Sequence, residues 1–285
     1  MILTTKKLEK LRTLYEAGDN KYTKYFYKRV IGDRKDNLKF QLTHEELEEY
    51  AKCANSIEYF IETYIDIKLR DYQIEALKHF QENRFQIFAV SRQSGMTSVF
   101  VLAILHYMLF NSNKNILVYD IKNAMIQERS EKFMYYYRQV PFFLQKGLNI
   151  NNIKSKKFDN DSRLIFRNST NIGIGFKVDV CIFFDFPSYT TNNTNKIFNE
   201  LLPTLTSIMS TKIIIEGRPN GYNLFYKLLE NSERPEGDPS KNAYKTFRAY
   251  WWQVPGRDEE WKQKQILAIG SQEDFDREYD LKIRI

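Results

Sequence analysis

Cysteine and histidine are scarce in this 285-residue chain, and each scarcity closes a class of function. The two cysteines, Cys53 and Cys181, lie far apart in apolar contexts, which argues against a disulfide framework and for a reducing compartment. The three histidines, His44, His79 and His106, show no metal-ligand spacing. The opening "MILTTKKLEKL" lacks the apolar run and small-residue cleavage site of a secretory leader. Long apolar runs are missing too. The most apolar stretch, "TSVFVLAILHYMLF", is about fourteen residues long and contains His106, too short for the ~20 residues that span a bilayer. It reads as a buried core helix. There is no internal repeat and no low-complexity tract.

What is present is ordinary for a globular protein: 42% hydrophobic and 28% charged residues, enough to bury a full core in one large domain or two modest ones. The formal charge of +7 favours a polyanionic partner, although abundant Lys also suits a solvated surface. Residues 1–66 read as a helical N-terminal cap. Within it "THEELEEYAKCANSIEYFIETYIDI" opens on a capping box, Thr43 with Glu46, and Leu47, Tyr50, Ala51 and Ala54 then recur at helical spacing. Residues 67–285 change character. Short apolar strands, "FQIFAVS" (85–91), "NILVYD" (115–120), "VDVCIFFDF" (178–186) and "TKIIIEG" (211–217), alternate with helices over 97–110, 124–140 and 194–208. A hairpin is predicted in "SKKFDNDSRLIFRN", turning at Asn160–Asp161, and an aromatic strand "YKTFRAYWW" precedes two closing helices in 258–285. Such alternation predicts an open α/β sheet with helices on both faces.

One strand-to-helix junction carries candidate chemistry. "SRQSGMTS" (91–98) has the layout of a phosphate-binding loop, in which N–H groups at a helix N-terminus point at an anion. Gly95 permits the tight turn, and Thr97 and Ser98 supply hydroxyls, yet Met96 stands where such a loop carries its lysine. Alone, the bland reading of this stretch is an ordinary strand-to-helix turn. Its context adds weight. "CIFFD" runs an apolar strand into Asp185, as a magnesium-holding carboxylate requires. "LRDYQIEAL" (69–77) offers Gln73 to an adenine edge, and "IIIEGRPNGYNLFYKL" (213–228) places Pro219, Asn220 and Gly221 just past a strand.

In this order the segments resemble the ATPase domain of the tailed-phage large terminase subunit, the motor that pumps DNA into a capsid. "LRDYQ" resembles the adenine-recognition segment, "SRQSGMTS" the phosphate loop, "CIFFDF" the aspartate–glutamate strand end and "RPNGYNLFY" the coupling motif. "YWWQVPGRDEEW" and "EDFDREYD", with Phe275, Glu278 and Tyr279, resemble the closing segment. The resemblance implies a P-loop NTPase fold of the RecA-like kind, a mainly parallel sheet flanked by helices. It implies nucleotide contacts at Gln73, Arg92, Gln93, Ser94, Gly95, Thr97 and Ser98, ATP or ADP as ligand, and magnesium on Thr97 and Asp185. Implied partners are a phage portal, a capsid, other terminase subunits and double-stranded DNA, in the host cytoplasm or a virion, with an oligomer as one form.

The departures fall on the chemistry. Met96 replaces the lysine, Phe186 replaces the glutamate that would activate water, and Glu216-Gly217-Arg218 replaces a small hydroxyl-rich stretch; Ile174-Gly175 stands where the family often has Arg-Gly. A thioether carries no charge for phosphate oxygens, and a benzyl group accepts no proton; a missing general base alone costs about 10²- to 10⁴-fold. A ring beside the terminal phosphate would also displace the attacking water. Arg92, which matches the family's arginine at the terminal phosphate, offers a partial rescue of binding and cannot replace the base. The family's nuclease domain is not expected here, because the chain stops at Ile285 just past the closing helix. The expectation is a hydrolysis-deficient binding or structural module. The alternatives are an active packaging ATPase with divergent motifs and a nuclease on another chain, and a regulator that binds nucleotide without turnover. The basic, aromatic stretches "KYTKYFYKR" (21–29) and "FMYYYRQV" (133–140) suit DNA, a protein partner or plain core packing.

Overall fold

The computed structural model describes residues 42–171, 173 and 175–282. The first 41 residues of the expected cap, with the stretch at 21–29, and Ile174 and Ile285 lie outside the described residues. Helices α1 (His44–Asn55), α2 (Ile57–Tyr64) and α3 (Asp71–Glu82) lead to strand β1 (Phe85–Val90). Helix α4 (Met96–Phe110), strand β2 (Asn115–Asp120) and helix α5 (Asn123–Gln139) follow, then strands β3 (Leu148–Asn152), β4 (Ser155–Phe158) and β5 (Arg163–Asn168). Beyond them come β6 (Val180–Phe183), α6 (Thr191–Lys196), α7 (Leu202–Thr206) and β7 (Lys212–Gly217). The chain closes with α8 (Leu224–Glu233), β8 (Lys245–Ala249), α9 (Glu259–Ile269) and α10 (Gln272–Glu278).

The eight strands are ordered β3-β4-β5-β2-β6-β7-β1-β8, and the pairings β2–β6, β6–β7, β7–β1 and β1–β8 are parallel. This is the mixed α/β, mainly parallel sheet flanked by helices of a P-loop NTPase fold. Two compact units make up the chain. One takes in the described residues up to Leu69 with 101–115 and 127–165; the other takes in 70–100, 116–126 and the chain from 166 onward.

In the first unit the capping box forms as the sequence predicts: Glu46 N–H donates to Thr43 Oγ1 at 3.2 Å and Thr43 N–H to the Glu46 carboxylate at 2.8 Å. The buried Phe60 meets Phe110 edge-on at 5.6 Å, and Tyr50 meets Phe110 at 5.2 Å. His106 Nε2–H donates to the Cys53 carbonyl at 2.8 Å, which satisfies a ring sunk among these apolar side chains. The antiparallel β4–β5 hairpin turns through Asn160–Asp161, with Asp161 in the left-handed region at φ 63°. Tyr136 and Tyr137 of the 133–140 stretch are buried, while Tyr135 is exposed.

In the second unit β1 lies between β7 and β8, with Phe88 opposite both Glu216 and Phe247. A strand covered on both sides needs apolar residues at consecutive positions, and Ile87, Phe88, Ala89 and Val90 are all buried. Tyr119 of β2 stacks on Phe183 of β6 at 5.2 Å. Two expected elements are interrupted. The helix expected over 194–208 breaks into α6, a wide π turn at Ile197–Leu201, and α7. Pro203 has no N–H for the regular ladder, and just ahead of it the Leu202 N–H reaches back five residues to the Ile197 carbonyl. The strand expected to run to Phe186 ends at Phe183, because Asp185 turns left-handed (φ 49°, ψ 39°). Among the described residues no helix is long and apolar enough to cross a membrane.

Candidate phosphate-loop site

All the residues that matter here belong to the second unit. Strand β1 ends at Val90, five residues form the loop, and α4 starts at Met96. Gln93 and Gly95 take positive φ, 56° and 78°, and Ser94 Oγ donates to the Ser91 carbonyl at 2.8 Å. The loop therefore delivers the chain into a helix whose first two N–H groups, of Met96 and Thr97, precede the regular ladder, while the Ser98 N–H turns back to the Gly95 carbonyl at 3.0 Å. Thr97 and Ser98 lie in that turn, half-buried.

The loop is held from two sides. Tyr72 OH donates to the Ser94 carbonyl at 2.5 Å and accepts from Arg70 Nη1 at 2.9 Å. Gln73 Nε2 donates to the same carbonyl at 3.3 Å, while its Oε1 accepts the Arg70 N–H at 3.1 Å. Both ends of the Gln73 amide are thus engaged by the chain itself, and the residue is buried. From the closing segment, Arg257 donates to the carbonyls of Arg92 and Gln93, both at 3.1 Å, with its guanidinium 4.7 Å from the Trp261 ring centroid. Trp251, Phe275 and Tyr279 form the buried cluster under that segment.

Met96 is 3% exposed and Phe186 1%, so the two departures from the motif are core residues. Phe186 meets Tyr189 at 5.2 Å, Phe183 at 5.9 Å and Phe198 at 6.3 Å. Its ring is buried in an aromatic cluster and does not line an open cleft. Pro219, Asn220 and Gly221 form the turn from β7 into α8, with Gly221 at φ 73° and the Asn223 side chain donating to the Asn220 carbonyl at 3.0 Å. Asn223 Oδ1 then caps α8 by accepting the Tyr226 N–H.

Asp185 lies at the end of β6, one strand away from β7 and two from β1. Its N–H donates to Glu216 Oε2 at 3.0 Å, a side-chain acceptor standing in for the next strand partner. Its carboxylate faces Arg218 Nη2 at 3.5 Å. Arg218 Nε reaches Glu278 Oε2 at 3.2 Å, and Arg92 reaches that same oxygen through Nε and Nη2, both at 2.7 Å. Arg277 Nε approaches the other oxygen at 3.2 Å, and the Arg92 N–H donates to the Glu278 carbonyl at 3.0 Å. Burial alone would raise the Glu278 carboxyl, but the Arg218 and Arg92 charges prevail and hold it below the usual carboxylate range.

The pair expected to hold magnesium, Thr97 and Asp185, does not fit that ion. A guanidinium already stands at the Asp185 carboxylate, and a divalent cation brought there would meet like charge at short range. Among the described residues, no group of three or more His, Cys, Asp or Glu side chains is placed to hold a metal. The loop itself, with the Met96 and Thr97 N–H groups at the start of α4, two hydroxyls and Arg92, suits a phosphate group. Sequence reasoning missed the roles of Arg218, Glu216, Glu278 and Arg257. Arg218 and Glu216 were visible only as departures from a pattern, and no local signal shows that Arg92 pairs with a residue 186 positions away.

No family model matches the sequence. The fold is similar to that of the large terminase ATPase domain of Thermus phage P74-26, at 16% identity and a TM-score of 0.64 over 78% of this chain and 97% of that one. It is also similar to the HK97 bacteriophage large terminase, at 11% identity and a TM-score of 0.59 over 80% of this chain and 54% of that one. The large terminase of a thermophilic bacteriophage, in complex with ADP, matches at 9% identity and a TM-score of 0.51, over 70% of this chain and 50% of that one. The chain thus has the fold of a phage large-terminase ATPase domain, and its match spans about half the length of the HK97 protein and of the ADP-bound one.

Proposed function

We propose that this chain is a phage DNA-packaging protein with a terminase ATPase fold that has lost hydrolysis and serves as a binding or structural module in packaging or virion assembly. The observation that carries this reading is the burial of Met96 and Phe186 at the positions of the lysine and the water-activating glutamate. Phosphoryl transfer depends on charge stabilisation and an oriented nucleophile, and neither side chain contributes to either. Arg218 beside Asp185 adds a third obstacle. The intact loop supports retained binding of a nucleotide's phosphates by Arg92, Ser94, Gly95, Thr97 and Ser98. Portal, capsid, terminase subunits and double-stranded DNA are the partners consistent with the fold and with the charge of +7.

The test is phosphate release from ATP by the full chain with magnesium, with and without double-stranded DNA. Release at the level of the blank is expected, at least about 10²-fold below an active motor measured alongside. Release that DNA accelerates and Thr97→Ala abolishes overturns the reading, and so does release above the blank at a rate matching that of an active Met96→Lys/Phe186→Glu double variant.

A further inference from the structure

Two guanidiniums from neighbouring strand ends converge on one oxygen. Arg92 follows β1 and Arg218 follows β7, the strand beside it, and both hold Glu278 Oε2. Open parallel sheets bind ligands beyond the carboxyl ends of their strands, and these arginines stand there beside the phosphate loop. The oxygen they hold is not a ligand's but the chain's own, brought by the last residue of α10. The backbone takes part as well, since the Arg92 N–H donates to the Glu278 carbonyl. Arg92, with 51% of its side chain exposed, remains accessible from solvent.

We infer that Arg92 and Arg218 form a metal-independent polyphosphate subsite, which the Glu278 carboxylate of the closing helix fills as an internal competitor. The inference deepens the phosphate-loop reading and rests on it. Arg218 supplies, from β7, the positive charge that Met96 does not supply from the loop. It also stands at Asp185, where magnesium would otherwise neutralise phosphate charge. A polyphosphate presents several oxygens and more than one negative charge to the two forks, where a carboxylate presents a single charge. Binding then requires the Glu278 side chain to withdraw, and divalent metal gives no assistance.

Calorimetric titration of the full chain with ATP and with inorganic tripolyphosphate, in EDTA and in magnesium, tests this. Glu278→Gln removes the competing charge and keeps a hydrogen-bonding side chain of the same length. Its affinity for both probes in EDTA is expected to rise at least tenfold over the parent. Adding Arg218→Ala to that variant is expected to lose at least tenfold, and Arg218→Lys to restore part of the loss. Magnesium is expected to leave the affinities unchanged or to weaken them. Circular dichroism melts of each variant separate loss of binding from loss of fold. Binding that requires magnesium overturns the inference, as do affinities indifferent to Arg218 or no binding by a folded Glu278→Gln variant. The two readings fail separately. DNA-stimulated phosphate release with metal-free, Arg218-dependent binding sinks only the proposed function; no release with magnesium-dependent binding sinks only this inference.

Discussion

His106 shows how one buried side chain sets a pH dependence for its unit. Its ring is buried with Nε2–H on the Cys53 carbonyl, and burial pushes its pKa down to about 4 from the ordinary 6.5, the backbone bond opposing only in part. The unfolded chain therefore takes up a proton near pH 6.5 that the folded chain refuses until about pH 4. Stability rises with pH wherever the unfolded state binds more protons, so this contribution is whole above about 6.5 and is lost as pH falls toward 4. At about 1.4 kcal/mol for each unit of difference, the loss is on the order of 3 kcal/mol. Urea unfolding of the full chain at steps between about pH 7 and about pH 4.5 should show this decline, and His106→Gln should flatten it over that window. Equal slopes for parent and variant would show that the ring is not what titrates. Glu278 acts at lower pH with the same sign. Its carboxyl is held below the usual range, so its contribution is present above about 4.5 and fades as pH falls through the lowered value.

At the scale of elements, the turns around the loop depend on two glycines for different reasons. Gly95 has φ 78°, and an added Cβ would also lie 2.8 Å from Gln73 Nε2. Gly217 ends β7 against Pro187, where a Cβ would lie 2.1 Å from the ring Cδ. Gly95→Ala should cost about 1–2 kcal/mol from the left-handed backbone, because a flexible amide can give way. Gly217→Ala should cost about 3 kcal/mol by overpacking against a rigid ring. Denaturant midpoints order the two, and a milder effect at Gly217 would contradict the close approach. The loop, the strands and the capping box at Thr43 were legible in the sequence because each rests on local pattern: an apolar run, a glycine, a Thr-x-x-Glu spacing. The left-handed Asp185 was not, since its N–H is satisfied by Glu216 from another strand. The broken 194–208 helix had its cause in plain view at Pro203, yet periodicity alone carried the prediction across it. Least legible was the arginine cluster, whose members follow β1, follow β7 and end α10, and meet only when the sheet forms.

At the scale of the whole molecule, the sequence suggests a boundary near residue 66, with a helical cap before it and a core after it. The first unit draws on both sides of that boundary, combining the helices before Leu69 with 101–115 and 127–165. Phe60 of α2 packs on Phe110 and on His106, at 5.6 Å in each case, and Tyr50 of α1 packs on Phe110. The Cys53 carbonyl at the end of α1 is the acceptor that His106 needs. A fragment beginning at residue 67 would therefore strip the C-terminal half of α4 of its aromatic cover and leave a buried imidazole without its acceptor. Uncovering a large buried aromatic contact costs about 3–5 kcal/mol, comparable with the whole stability of a marginal domain. The 67–285 fragment should accordingly unfold at least about 10 °C below the full chain, or with a broadened transition, and bind a hydrophobic dye such as ANS when the full chain does not. Tyr50→Ala and Phe60→Ala in the full chain should each reproduce part of that shift. A fragment that melts cooperatively at the full chain's midpoint would mean that the helices before residue 67 are a separate cap and that α4 is stable without them.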